Sequence, residues 1–278
     1  NMSVTRNLKK QGHTLRLSLS RRIQRPNIYY LNPYINQSTP NSVYYGNPEL
    51  SPELTNAYEL SYSMFGKKGS FNASAYVRRT GNSIERYTFY NDSLARTEST
   101  YRNLATNASY GVSLYGSLRP TQNWNISSNI TTSYTRLTSA ALNRTSSRLN
   151  LNLGLNSSLK MGKLYSLQGY GSYGTGSVQL QSRYSGYVFY SLGVKRTLLK
   201  EKADFTLNAT NFLSPGLEFR SSTTTDQFRS TNVSYRYQRA VRLSFTYRFG
   251  KIDTQGQRQR QRRSIRNDDS KSGESSSQ

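Results

Sequence analysis

The sequence predicts an all-β fold, a transmembrane antiparallel up-and-down β-barrel. Three observations predict it: the composition, the alternation of apolar and polar residues, and the unequal lengths of the connections. The 278 residues include 23 Tyr, 10 Phe and 19 Gly but no Cys. Aromatic residues favour strands, and the absence of Cys excludes a disulfide framework and thiolate metal sites.

Alternation is clearest where Leu149, Leu151, Leu153 and Leu155 are interleaved with polar residues or glycine. A period of two indicates a strand with one apolar and one polar face. The same pattern recurs at 15–19, 58–64, 71–77, 108–114, 124–130, 188–194 and 205–209. The longest run, 233–249, predicts a single final strand of about 17 residues, or more than ~50 Å at ~3.3 Å per residue.

Connections alternate between short and long. Short turns are predicted at 66–69, 119–123, 160–163 and 200–202, and longer polar loops at 31–53, 90–102, 137–146, 179–186 and 222–230. Outer-membrane barrels have short periplasmic turns and long extracellular loops. We therefore predict about ten strands, the first starting near His13 and running outward and the last running inward to Phe249. Residues 1–10 are predicted to end an earlier inward strand.

Arginines recur on the predicted polar face, at Arg16, Arg78, Arg148, Arg236, Arg242 and Arg248. Facing lipid near the midplane, each would cost roughly 2–4 kcal/mol. We therefore expect them to face the lumen. A soluble β-sandwich also alternates and remains an alternative, although its strands are usually far shorter than the final run.

The formal net charge is +24, and a value of this size is typical of proteins that bind nucleic acid or anionic membranes. The charges are spread along the chain, with one dense run at 257–263. We predict two regions: residues 1–250 form the barrel portion, and residues 251–278 form a disordered basic and polar tail. We expect no nucleic-acid partner.

Four segments carry a family resemblance. Residues 22–34 and 46–62 resemble the mid-barrel signature of TonB-dependent receptors, in the version of the Bacteroidetes-type outer-membrane β-barrel family. Residues 203–213 and 242–251 look like the last two strands of such receptors. The resemblance implies that about ten strands here are the C-terminal part of a larger, 22-stranded barrel in the bacterial outer membrane, without its N-terminal plug.

The same resemblance implies uptake of a large nutrient, such as a chelate, a glycan or a peptide. Its implied partners are outer-membrane lipid and lipopolysaccharide, the barrel-assembly machinery, TonB through the missing N-terminal region, and a surface lipoprotein. The assembly machinery would read a terminal aromatic strand, which here corresponds to Val241, Leu243, Phe245, Tyr247 and Phe249.

Candidate substrate-binding residues are loop tyrosines and lumen arginines: Tyr29, Tyr30, Tyr34, Tyr44, Tyr45, Arg78 and Arg148. Aromatic packing and lumen-filling hydrogen bonds are the competing interpretations. The chain has one histidine, His13, and no Ser-His-Asp arrangement or paired carboxylates with acid–base spacing. We therefore expect no enzyme activity, no catalytic or metal site, and no cofactor. The alternative function is a non-transporting barrel that anchors a partner.

Overall fold

The computed structural model describes residues 1–39, 41–200 and 202–249. The strands are β1 Met2–Asn7, β2 His13–Gln24, β3 Asn36–Thr39, β4 Ser42–Tyr44, β5 Glu53–Gly66, β6 Gly69–Asn91, β7 Arg96–Thr121, β8 Trp124–Ser139, β9 Arg144–Met161, β10 Tyr165–Gly174, β11 Ser182–Tyr184, β12 Tyr187–Leu198, β13 Ala203–Thr210, β14 Leu217–Thr224, β15 Arg229–Arg236 and β16 Ala240–Tyr247. Helix α1 spans Ile28–Leu31, and a single 3-10 turn spans Asp92–Leu94. The predicted tail, 251–278, lies outside the described residues.

Eleven strands form one continuous wall in the order β1-β2-β5-β6-β7-β8-β9-β10-β12-β13-β16. Every neighbouring pair in this wall is antiparallel. From β2 onward the wall has ten strands, preceded by β1 as predicted. The antiparallel barrel fold is confirmed. No helix in the described part of the chain is long and apolar enough to cross a membrane.

The register places the apolar side chains of the wall on one face. Leu17, Leu60, Ala75, Val112, Thr132 and Leu151 are successive Cα partners across six strands. The adjacent row, on the opposite face, is Ser18, Glu59, Tyr76, Gly111, Ser133 and Asn150. In outer-membrane barrels the apolar face contacts lipid and the polar face lines the lumen. Leu17, Leu60 and Val112 are accordingly exposed within the chain.

The two ends of the wall differ. At one end, here called the turn end, consecutive strands are joined by connections such as Lys67–Lys68 and Gln122–Asn123. At the other, the loop end, long strands continue beyond the wall: β6 has 23 residues and β7 has 26. These strands extend roughly 75 and 85 Å at ~3.3 Å per residue, well beyond an apolar band about 25 Å tall.

Three predicted loops are mostly strand. Of residues 222–230 only 225–228 lie between β14 and β15. Of residues 90–102 only 92–95 lie between β6 and β7, and of 137–146 only 140–143 lie between β8 and β9. The last two predictions were wrong because both segments are mostly polar, so they lack the alternation that marks a strand in lipid. Above the membrane a hairpin needs only its backbone ladder and Thr or Tyr side chains to continue.

The predicted single final strand is also wrong. Residues 233–249 divide between β15 and β16, which are separated at 237–239 and belong to different sheets. Opposite the break, Asn211 adopts a left-handed φ of 43°. Its side chain accepts from the Tyr190 N–H at 2.9 Å and donates to Gln238 Oε1 at 3.3 Å. These side-chain bonds replace the ladder, and Arg236 consequently lies on β15 and not on the wall.

The loop end has its own packing. β15 forms a three-stranded sheet with β11 and β14, and β3 and β4 form a small hairpin. One apolar cluster contains Tyr30, Leu50, Ile84 and Tyr101, with Leu31 and Tyr44 packed against it. A second contains Ala105, Leu137, Val178 and Leu180. The loops are therefore folded onto one another over one end of the wall.

Candidate ligand-binding site at the loop end

The upper part of the β6–β7 hairpin is held along both of its edges. On the β7 edge, β4 pairs in parallel with 97–99. On the β6 edge, the Gln181 side chain pairs with the N–H and carbonyl of Thr88, and the Gln227 side chain does the same with Tyr90. Residues from three different loops thus fix this hairpin, which forms a rigid support for neighbouring side chains.

Four tyrosine rings pack against one another beside the hairpin. The Tyr29 and Tyr44 rings are stacked with centroids 5.6 Å apart, and Tyr44 meets Tyr101 edge-on at 5.9 Å. The Tyr30 and Tyr101 centroids are 4.1 Å apart. The Arg86 guanidinium lies 5.6 Å from the Tyr44 ring centroid. Aromatic pairs and cation–π contacts of this kind stabilise a loop cluster, which we call the tyrosine cluster (Tyr29, Tyr30, Tyr44, Tyr101).

Exposure divides the predicted tyrosines. Tyr30 is only 2% exposed, whereas Tyr29 is 48% and Tyr34 74% exposed. Burial raises the pKa of Tyr44 well above its ordinary value, and the neighbouring Tyr101 and Tyr29 phenols add to the effect. Tyr30 therefore packs the cluster, while Tyr29 presents a ring to solvent. Tyr34 has no ring contact with the cluster among the described residues.

Tyr45, just after β4, belongs to a separate polar network that contacts the β6–β7 hairpin. Its hydroxyl donates to Glu98 at 3.0 Å, and Glu98 also accepts from Arg96 and Asn91, each at 3.1 Å. Burial of the Glu98 carboxyl acts to raise its pKa, but these three hydrogen bonds outweigh burial and lower the pKa below its ordinary value. Burial and the Glu98 bond raise the pKa of the Tyr45 phenol.

Below the tyrosine cluster, the lumen face of the wall forms a polar cavity of about 500 Å³. Its charged lining residues are Arg22, Arg78, Glu53 and Glu59. Glu53 is buried and accepts from the Ile84 N–H at 2.6 Å, which ties the cavity to the cluster above. The exposed Arg78 guanidinium lies 5.8 Å from the Tyr76 ring centroid. The guanidinium groups around this cavity can donate hydrogen bonds to a polar ligand, and the carboxylates can accept them.

Arg148 lies elsewhere. Its guanidinium donates to the carbonyl of Tyr184 at 3.2 Å and to the carbonyl of Thr175. Both acceptors belong to the β10–β12 loop, so the structure gives Arg148 the role of bracing that loop. It does not line the cavity that contains Arg78.

The terminal strand is placed as an edge of the wall. Val241, Leu243, Phe245 and Tyr247 share the lipid-facing side and pair with Ala209, Leu207, Phe205 and Ala203 of β13. Phe249 lies two residues beyond β16 and is exposed. No group of three His, Asp or Glu side chains within the described residues is arranged to hold a metal ion.

Several residues of the site are absent from the sequence-based predictions. Gln181 and Gln227 act on partners 93 and 137 residues away, and Tyr101 and Arg86 sit in segments where strand and loop could not be told apart. Glu53 carried no local signal either, because its burial is visible only in the folded structure.

A wall with one lipid-facing side, short turns at one end and packed loops at the other defines a membrane barrel with a receptor-like outer end. The chain matches the Outer membrane protein beta-barrel family over residues 1–247. It belongs to that family, and its place is the bacterial outer membrane. The turn end is periplasmic and the loop end is outside, in keeping with such barrels.

Solved structures share the fold at low sequence identity. The copper transporter OprC superposes with a TM-score of 0.64 and 13% identity, covering 89% of this chain and 39% of its own. The siderophore receptor PirA from Pseudomonas aeruginosa gives 0.59 and 14%, covering 89% and 41%. The outer membrane transporter YddB from Escherichia coli gives 0.52 and 12%, covering 86% and 39%. The chain thus spans about two fifths of these proteins. No curated protein sequence matches it significantly.

Proposed function

We propose that this chain forms the C-terminal part of the barrel of a TonB-dependent receptor that takes up a large nutrient. The observation that carries the proposal is the arrangement at the loop end, where the tyrosine cluster lies above a charged lumen cavity. An exposed ring at Tyr29 is suited to first contact, and Arg22 and Arg78 lie on the path inward. The copper and siderophore specificities of OprC and PirA belong to those proteins.

The substrate class is a chelate, a glycan or a peptide with anionic or polar groups. Tyrosine rings stack on apolar faces while their hydroxyls donate hydrogen bonds. Arginine binds carboxylate or phosphate groups through paired donors. A ligand combining these features would contact Tyr29 or Tyr34 outside and Arg78 inside. Tyr30, Tyr44, Tyr45 and Arg148 would act mainly by holding the loops, as their contacts suggest.

Energy coupling through TonB would use a region that is not in this chain. By resemblance we further propose the Bacteroidetes-type branch of the family, barrel-assembly recognition of the terminal strand, and no enzymatic activity. The loop end also carries protruding apolar side chains, including Ile28, Leu213 and Tyr237, each at least 80% exposed. By resemblance we also propose a surface lipoprotein as co-receptor, with a partner-anchoring role as the alternative.

The test uses the full-length protein in its native host. Deletion should abolish growth on one scarce nutrient, and a strain lacking TonB should show the same loss. Tyr29→Ala with Arg78→Ala should lower uptake at least about tenfold, the loss expected from one or two charge-assisted or stacking contacts. Normal uptake without TonB would overturn active transport. Growth unaffected by deletion, together with capture of a lipoprotein, would favour the anchoring role.

A further inference from the structure

The lipid-facing side of the wall carries very few charges. Between the turn end and the irregular pairing of β6 with β7 at 80–83, the positions that share this face in the described wall strands include five charged residues, and all are arginines: Arg6, Arg21, Arg79, Arg136 and Arg196. Arg6 and Arg196 lie within two residues of the turn end of β1 and β12. The other three, Arg21, Arg79 and Arg136, lie much farther from the turn end of their strands.

Those three arginines stand in one register row. Arg21 pairs with Asn56, Asn56 with Arg79, Arg79 with Ala108, and Ala108 with Arg136. The arginines thus occupy alternate strands, about 10 Å apart at ~4.8 Å per strand. All three are exposed. We call them the arginine row (Arg21, Arg79, Arg136). Two long side chains that flank a gap of this width can reach one phosphate group from both sides.

The height of the arginine row follows from the strand lengths. Arg21 is eight residues beyond His13, Arg79 ten beyond Gly69, and Arg136 twelve beyond Trp124, each counted from the turn end of its strand. At ~3.3 Å per residue and a tilt of about 40°, these counts place the arginines roughly 20–30 Å above the turn end. An apolar band about 25 Å tall ends at the same height.

A tyrosine row marks the same boundary. The next row of this face lies two positions along each strand toward the turn end. Its successive partners are Leu19, Tyr58, Val77, Tyr110 and Tyr134. Tyrosines of this kind form the girdle at the membrane interface. The arginine row therefore begins where hydrocarbon ends, at the level of the outer-leaflet headgroups.

The chemistry of the row fits phosphate. Within the described residues, no side-chain hydrogen bond, ion pair or ring contact involves Arg21, Arg79 or Arg136. Arginine binds phosphate through paired donors, whereas lysine acts as a hydrated point charge. Lysine is confined to the opposite end: all nine lysines of the described residues lie in or near the turns of the turn end, at 9, 10, 67, 68, 160, 163, 195, 200 and 202.

We propose that the arginine row binds the phosphorylated headgroup of lipopolysaccharide in the outer leaflet. The row supplies three unpaired guanidinium groups at the correct height, and Asn56 and Ala108 leave polar and open gaps between them. One phosphate would lie between Arg21 and Arg79 and a second between Arg79 and Arg136. This site is on the outside of the wall and is independent of the substrate path through the lumen.

The experiment measures lipid binding by the full-length protein purified from outer membranes. The test variant is R21Q/R79Q/R136Q. Its control removes three arginines from the lumen face, R16Q/R22Q/R242Q. Lipopolysaccharide retained on the protein is counted by native mass spectrometry, and affinity is measured with purified lipopolysaccharide, with the same material after enzymatic dephosphorylation, and with phosphatidylglycerol vesicles. Heat-modifiable gel mobility reports folding.

We expect the test variant to retain little lipopolysaccharide and to bind it at least about tenfold more weakly, while the lumen control stays close to wild type. Dephosphorylation should weaken wild type by a similar factor. If the triple variant does not fold, Arg79→Gln alone should still weaken binding about threefold. Equal binding by the test and control variants would overturn the proposal. The proposal would also be overturned if phosphatidylglycerol vesicles bound the wild type as tightly as lipopolysaccharide does and lost this binding in the test variant.

Discussion

The side-chain amide of Gln181 pairs with both backbone groups of Thr88, accepting its N–H at 2.8 Å and donating to its carbonyl oxygen at 3.1 Å. A glutamine used in this way takes the place of one residue of a neighbouring strand. The edge of β6 above the wall is thereby paired, and an unpaired edge would be a site for unwanted strand association.

Replacement of Gln181 tests this pairing. Gln181→Ala should raise amide hydrogen exchange at Thr88 by about threefold to tenfold, since one net hydrogen bond contributes roughly 0.5–1.5 kcal/mol. Exchange at Tyr90, held by Gln227, should change less. Gln122→Ala, in a turn at the other end of the wall, serves as the control. Unchanged exchange at Thr88 would mean that the hairpin is held without Gln181.

Acid should loosen the polar network around Glu98. The pKa of Glu98 is lower in the folded loops than its ordinary value of 4.5, so the charged carboxylate stabilises the fold above that value. This stabilisation is lost as the pH falls through the lowered pKa. Amide protection at Tyr45, whose N–H donates to the Ser99 carbonyl at 3.1 Å, should therefore fall with the pH in this range.

Glu98→Gln should remove that acid dependence and lower Tyr45 protection already at neutral pH. The same variant leaves the Thr88–Ser99 hydroxyl contact in place, so protection at Thr88 serves as the internal control. An identical acid response in wild type and variant would assign the effect to another group.

Asp204 connects three elements at the turn end of the wall. This buried carboxylate accepts from the Thr197 hydroxyl at 2.9 Å, forms an ion pair with Arg248 after the last strand, and lies 4.0 Å from Lys195. Asp204→Asn should destabilise the edge formed by β16 by about 1.5–3 kcal/mol, the range for hydrogen bonds to charged groups.

The measurement is the midpoint temperature of the heat-modifiable gel shift of the full-length protein. It should fall for Asp204→Asn and, to a smaller extent, for Arg248→Gln. Ser244→Ala lies on the same face of the last strand pair and should leave the midpoint unchanged. A midpoint unaffected by Asp204→Asn would show that the strand is held by its backbone ladder alone.

Adjacent tyrosines should behave differently. Tyr30→Ala removes a buried ring and should destabilise the loop cluster by about 3 kcal/mol, measured as faster proteolysis between residues 25 and 52. Tyr29→Ala removes a half-exposed ring and should leave proteolysis nearly unchanged while weakening nutrient binding. Equal proteolysis of the two variants would contradict the packing assigned to Tyr30.

The sequence alone predicted the wall of strands but not the packing of the loops. The wall was predictable because lipid imposes a strict period of two, so Leu149 to Leu155 could be placed without knowledge of any partner. Tyr29 and Tyr30 have the same side chain and the same neighbourhood in sequence. Their different burial depends on Tyr101 and Leu50, which loop packing brings together, and no local pattern encodes that.

The prediction of a single last strand was wrong for a related reason. Its apolar phase runs through 233–249 with only one exception, yet the ladder breaks where Asn211, which is buried, meets Gln238. That break coincides with a left-handed residue just after the opposite strand, 27 positions away. Periodicity describes which face a residue occupies, but it does not describe which strand the residue pairs with.

The confinement of lysine to the turn end of the wall gives the molecule a chemical mark of its own orientation. Every amine side chain of the described residues is at the turn end, whereas the loop end presents guanidinium groups. In whole cells, an impermeant amine reagent would leave this part of the chain unlabelled, and it would react only after the periplasm is opened. Modification of Lys67 or Lys163 in intact cells would thus report an inverted or broken barrel.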